Sequence, residues 1–239
     1  MEKNYGFLSG NVLKIIALVA MTIDHVGLIL FPNILAFRII GRIAFPIFAY
    51  FIAEGCKYTR NKLRYFLFMF GLGVVFDVVA RIFAHTTDCN ILITFSLAIL
   101  LVYLLDWFKL SVSQKNAKLI VASVICFLAS ASAIFVICHV LPAYIPGFSG
   151  VDYGFAGIAV VVLVSIFDKQ YLKLICLLVG LIVLAIFIGP LGPIQWFSLI
   201  AVLLLSWYNG QRGKLKLKYL FYVYYPAHIL VLYGISMLI

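Results

Sequence analysis

The stretch NVLKIIALVAMTIDHVGLILF, residues 11–31, decides the fold. A membrane-spanning helix needs about 20 mostly apolar residues, and this segment supplies them while carrying Asp24 and His25 toward its far end. No small-x-small cleavage site follows, so it reads as a spanning helix and not as a secretory signal. Stretches of the same kind recur at 35–56, 64–84, 90–107, 117–140, 152–168, 171–189, 193–208 and 216–238. The one at 193–208 is short enough to be tilted or half-buried. The chain is 66% hydrophobic and 11% charged, against roughly 25% charged in a soluble domain. In water so apolar a surface would not stay monomeric. The expectation is an all-α, polytopic integral membrane bundle of about nine transmembrane helices. It forms one domain over 1–239, with no obvious repeat and no soluble module.

The net charge of +10 raises the question of a nucleic-acid partner. Its distribution answers it. Fifteen of the eighteen Lys and Arg residues flank alternate connections: Lys3 and Lys14; Lys57, Arg60, Lys62 and Arg64; Lys109, Lys115 and Lys118; Lys169 and Lys173; Arg212, Lys214, Lys216 and Lys218. The connections near 32–34, 85–90, 141–151 and 189–192 have none. This is the positive-inside pattern. It predicts a cytoplasmic N-terminus, an outer C-terminus, the cytoplasmic (inner) membrane as location and no nucleic-acid partner. The five cysteines, Cys56, Cys89, Cys126, Cys138 and Cys176, make no CxxC and no metal-ligand spacing, and read as packing residues; no metal is expected.

Ionisable residues inside a membrane are costly and by default functional. At about 1.5 Å per helical residue, His25, Arg42 and Asp77 fall roughly 9–10 Å below the outer surface. Arg38 and Arg42 share one helix face, and Asp77, Arg81 and His85 form a second stripe with the same four-residue spacing. The bland alternative is a set of buried ion pairs, for example Asp24 with Arg42, that fix helix packing. His25 adjoins a carboxylate and lies level with two arginines, and an imidazole can take and return a proton near neutral pH. His228 sits in Tyr224-Tyr225-Pro226-Ala227-His228, where Pro226 removes a helical N–H and predicts irregular backbone. His85 and His139 fall near the outer surface. Asn209-Gly210-Gln211-Arg212-Gly213 reads as a tight turn. The lysines after it, and Lys57 to Arg64, offer basic patches for a polyanionic cytosolic ligand.

Three separate, ordered blocks, within a match that runs over nearly the whole chain, resemble the TraX family of membrane acetyltransferases. The first is Leu13-Lys14 through Asp24-His25-Val26-Gly27. The second runs from Arg38-Ile39-Ile40-Gly41-Arg42 through Phe45-Pro46 to Tyr50, then Glu54-Gly55 and Thr59-Arg60-Asn61. The third is Tyr208-Asn209-Gly210-Gln211-Arg212-Gly213, leading to Phe221 through His228. One departure is Phe76-Asp77-Val78, where many relatives have a Glu-x-Pro-like element; the acid is kept and the proline is not. The resemblance implies acetyl transfer from cytosolic acetyl-CoA to an acceptor at the outer side. The best-known member N-acetylates a conjugative pilin, and related membrane acyltransferases modify surface glycans. An intramembrane histidine is typically essential in that wider group, and His25 is its counterpart here.

The site expected from both lines of reasoning has His25 as general base, Asp24 as anchor for Arg42 or Arg38, and an arginine on the oxyanion. His228 is a second acid or acceptor-binding group. Arg38, Asp77, Arg81, Asn90, Asp152 and Tyr225 are the expected acceptor-binding residues, and Arg60, Arg212, Lys214 and Lys216 the expected holders of the acetyl-CoA phosphates. The acceptor, a pilin-like protein, a peptide or a glycan, stays open. A secondary transporter with an intramembrane charged site is the alternative, though paired broken helices in two halves are missing. A haem protein with His25 and His228 as ligands is a remoter one.

Overall fold

The computed structural model describes residues 6–84, 89–188, 192–214 and 218–238, without the side chains of 83, 84 and 218–222. Among the described residues there is no strand, only two isolated parallel bridges, Leu8 with Tyr208 and Cys89 with Val151. The helices are α1 (Gly10–Ile29), α2 (Leu35–Gly41), α3 (Ala44–Tyr58), α4 (Lys62–Ala84), α5 (Ile91–Ser113), α6 (Ala117–Phe135) and α7 (Leu141–Tyr144). They continue with α8 (Gly154–Ser165), α9 (Gln170–Phe187), α10 (Gly192–Gln195), α11 (Ile200–Ser206) and α12 (Lys218–Ser236).

Six segments are long and apolar enough to cross a membrane: Gly10–Ile29, Leu35–Tyr58, Lys62–Ile82, Ile91–Ser113, Ala117–Tyr144 and Gln170–Phe187. Gly154–Ser165, Gly192–Ser206 and Val223–Ser236 are apolar but shorter. Each expected stretch is therefore helical, while six reach full spanning length among the described residues. The outward face of α6 fits lipid as its solvent. Val121, Ile125 and Leu128, spaced four and three residues apart, are each more than half exposed.

The prolines act at three places, each differently. Pro46 cannot donate to the carbonyl of Arg42, and the expected single helix 35–56 is broken there into α2 and α3, with Arg42 at the break. Pro142 follows a π-turn, Val136–Val140, that joins α6 to α7. Pro226, by contrast, lies inside an uninterrupted α12, so the irregular backbone expected there is absent.

The chain forms two compact units, Met1–Phe51 with Leu177–Ile239, and Ile52–Cys176. In the first, α1 packs against α2 and α12, and α10 against α2. The segment before α1 runs alongside the Trp207–Arg212 segment: Leu8 N donates to Trp207 O (2.9 Å), Gly10 N to Gln211 O (2.8 Å) and Asn11 N to Arg212 O (2.9 Å). With Ser9 Oγ accepting from Val12 N, the otherwise orphaned N–H groups at the start of α1 are met by the chain itself. In the second unit, α5 is central, packed by α4, α6 and α8. Asn90 caps α5, accepting from Leu92 N at 2.8 Å, and Asn116 caps α6. At the surface Lys57 donates to Asp168 and holds its carboxyl below the usual carboxylate range. An exposed pair of this kind adds little stability.

Candidate active site

The site in the first unit begins with a close approach of α1 and α2. Gly41 lies so near α1 that an added Cβ would sit 2.2 Å from Cβ of Asp24. Only a residue without a side chain allows that contact. It puts the Asp24 carboxylate between two guanidinium groups: Arg38 donates to Oδ2 and Arg42 to Oδ1, both at 2.7 Å. The three side chains are 13%, 15% and 4% exposed, respectively. The break at Pro46 turns Arg42 back along α2, where its Nε donates to Arg38 O at 3.1 Å. Asp24 thus anchors both arginines, one more than the sequence required, and leaves the trio with a net positive charge.

His25 points elsewhere, as the roughly 100° between neighbours on a helix demands. Its Nδ1 lies 2.9 Å from Met21 O and 3.0 Å from Nε2 of His228. His228 in turn has Nδ1 2.8 Å from Tyr224 O. A carbonyl oxygen only accepts, so both Nδ1 atoms carry protons. Neutral His228 then has a bare Nε2, which accepts from His25 Nδ1–H. Neutral His25 is left with its lone pair on Nε2, the atom a general base uses. The two acceptors of the Nδ1–H fix the ring with Nε2 turned away from both. The ring pair is braced by Tyr224, which stacks on His228 at 5.1 Å and shares a 2.7 Å hydroxyl contact with Thr22. Tyr225 meets both imidazoles edge-on, at 6.3 and 5.8 Å. Tyr225 and His228 are buried. The haem reading does not survive this geometry. A ligand nitrogen must offer its lone pair to the metal, and the lone pair of His228 Nε2 is already taken by His25 Nδ1–H.

The remaining expected acceptor-binding residues lie in the second unit. Asp77 Oδ1 accepts from Asn90 N (3.0 Å) and Nδ2 (2.5 Å), and Asn90 Nδ2 also donates to Gly73 O. Asn90 is thus committed to tying α4 to the start of α5. Asp152 is an exposed residue whose carbonyl accepts from Thr94 and whose N–H donates to Cys89 O. Arg81 stands one turn beyond Asp77 on an exposed face, and exposed His139 lies against Phe135. His85 and Lys216 lie outside the described residues.

The Asn209–Gly213 turn has a structural explanation of its own. Gly213, at φ +91°, packs so tightly on Ser9 and Asn11 that a Cβ would meet Ser9 Oγ at 2.9 Å. Gln211 N donates to Asn209 Oδ1, and the carbonyls of 211 and 212 cap α1. The side chains of Arg60, Arg212 and Lys214 are exposed.

Sequence reasoning counted Lys173 among the flanking charges. It is instead buried and paired with Glu54, whose place in a helix next to Gly55 gave the only hint. Thr22 and Tyr224 were also missed, since nothing in a sequence shows that residues 202 apart touch.

These features define a multi-pass helical membrane protein with an ion trio and a paired-imidazole centre buried in one unit. The TraX protein family model matches residues 9–236, and the chain belongs to that family. It is 28% identical to the probable fimbrial assembly protein FimC, serogroup H1, of Dichelobacter nodosus, over 99% of both chains. It is 31% identical over 172 residues to an uncharacterised protein of Rickettsia prowazekii (strain Madrid E), covering 70% of this chain but 59% of that one. No solved structure matches it.

Proposed function

We propose that this protein is an acetyltransferase of the cytoplasmic membrane, taking acetyl from cytosolic acetyl-CoA and placing it on a hydroxyl or amine of a pilin-like acceptor at the outer side. The pilin-like acceptor is suggested by the resemblance to a probable fimbrial assembly protein. The observation that carries the chemistry is the pair of contacts at His25 Nδ1, with Met21 O and with His228 Nε2, because together they leave His25 Nε2 as the basic atom. In the proposed reaction the acceptor's O or N attacks the thioester carbonyl while Nε2 takes its proton. An arginine of the Asp24 trio stabilises the oxyanion. The C–S bond then breaks, and the same nitrogen returns the proton to the departing thiolate. His228 meets His25 at the opposite ring nitrogen, so its part is to orient the base.

In the first unit, the exposed Arg212 and Lys214 are the basic groups we assign to the donor's phosphates. Asn11 N donates to Arg212 O, and fourteen helical steps lead from Asn11 to His25, about 21 Å along α1. The pantetheine arm is what would cover that distance.

Incubation of membranes with radiolabelled acetyl-CoA tests the reading: label should appear in a discrete acceptor only when the protein is present. Label confined to hydrolysed acetate, or none at all, would remove it. Orientation is tested separately. A single cysteine at Gln114, in a background lacking the five native ones, should react with an impermeant maleimide only after the cells are opened. Reaction in intact cells would invert the proposed topology.

A further inference from the structure

A polar pair that the reaction above does not use lies in the first unit, on the segment Gly192–Ser206. Gln195 and Ser198 are both fully buried. Neither Nε2 nor Oε1 of Gln195, nor Oγ of Ser198, has a hydrogen-bond partner among the described residues. Such groups are rare, and each costs the full loss of its hydration. Ser198 is the exception among the buried serines described. Ser96, Ser111 and Ser123 all donate back to a carbonyl three or four residues earlier, to Ile93, Trp107 and Ile120. Ser198 does not, although its helical setting offers the same outlet. It lies three residues beyond Gln195 across a 3₁₀ turn, Trp196–Leu199, in which positions three apart share a face. The α10 helix packs against α2, which carries Arg38 and leads into Arg42, the two arginines paired with Asp24.

We infer that Gln195 and Ser198 form a neutral subsite for an amide of the acetyl donor's pantetheine arm. The inference rests on the acetyl-CoA reading and adds a residue pair to it. A secondary amide entering an apolar interior needs both a donor and an acceptor there. A primary carboxamide supplies the two in one plane, and a serine hydroxyl serves as either. The arm carries an amide two carbons from the thioester sulfur, so an amide must lie close to the level of the reacting carbonyl. Arg38 on α2 and Arg42 just after it are the groups the reaction offers to the oxyanion, and α10 packs against α2. The absence of charge on the pair suits a neutral amide and not a phosphate.

The test compares acetyl-CoA with adenosine 3′,5′-bisphosphate, which lacks the arm, by thermal shift and by binding to the purified full chain. Gln195→Leu keeps the side chain's bulk. It should leave the ligand-free protein as stable as wild type or more so, because a group left unpaired has been replaced by an apolar one. It should weaken acetyl-CoA binding by about tenfold and leave bisphosphate binding unchanged. Ser198→Ala should follow the same pattern with a smaller loss. A Gln195→Leu protein that binds acetyl-CoA as wild type does, that loses both ligands alike, or that unfolds markedly earlier without ligand overturns the inference. Wild-type protein that does not bind acetyl-CoA would overturn the donor reading itself, and this inference with it.

Discussion

His25→Gln is expected to lower acetyl transfer by about a hundredfold to ten-thousandfold, the usual cost of removing a general base, while the protein still folds and binds acetyl-CoA. Gln can donate to Met21 O and to His228 as the native Nδ1–H does, so the packing between α1 and α12 has a substitute for the lost contact. What Gln cannot do is take a proton near neutral pH. His228→Gln should cost less, because the base itself remains and only its orientation is loosened. The measurement is single-turnover transfer of label from acetyl-CoA, with binding followed in parallel so that affinity and rate are separated. Near-normal turnover in His25→Gln would show that His25 is not the base, and His228 would take its place as the candidate.

Asp24→Leu should have the largest effect on stability. It leaves Arg38 and Arg42 facing each other with no carboxylate between them, both largely out of water. Breaking a buried ion pair by removing one partner costs about 3–5 kcal/mol, so the variant should be recovered poorly and unfold early in detergent. The triple variant Asp24→Leu, Arg38→Met, Arg42→Met separates structure from chemistry. Replacing a whole buried ionic group by apolar residues is often neutral or better, so this protein should regain stability. It should stay inactive if an arginine stabilises the oxyanion. A stable Asp24→Leu protein would mean that the trio does not hold α1 to α2, and an active triple variant would mean that it takes no part in catalysis.

Much of this was legible in the residues alone. Apolar runs of spanning length are a local property, so the positions of the helices follow from composition read along the chain. The same rule singled out Asp24, His25, Arg38, Arg42 and His228, since a charge or imidazole among apolar neighbours needs a reason wherever the chain goes. It would have found Gln195 as well, had neutral amides been weighed like charges. The break at Arg42 was also present in principle, because Pro46 lies four residues further on, where its missing N–H acts.

Partnership was not legible. That Asp24 serves two arginines depends on how closely Gly41 lets α2 approach α1, a distance no spacing encodes. Lys173 looked like a flanking charge until packing placed it against Glu54. The turn at Asn209–Gly213 was legible as a turn, but nothing local showed that its carbonyls cap the start of α1. The second contact of His25 Nδ1 is with a ring 203 residues away, which no local pattern shows. The sequence determined which costly groups enter the membrane; the tertiary structure decided which of them meet. Hydrophobicity and helix period act along the chain, whereas hydrogen bonds and ion pairs act across about 3 Å of space, and only helix packing sets that distance.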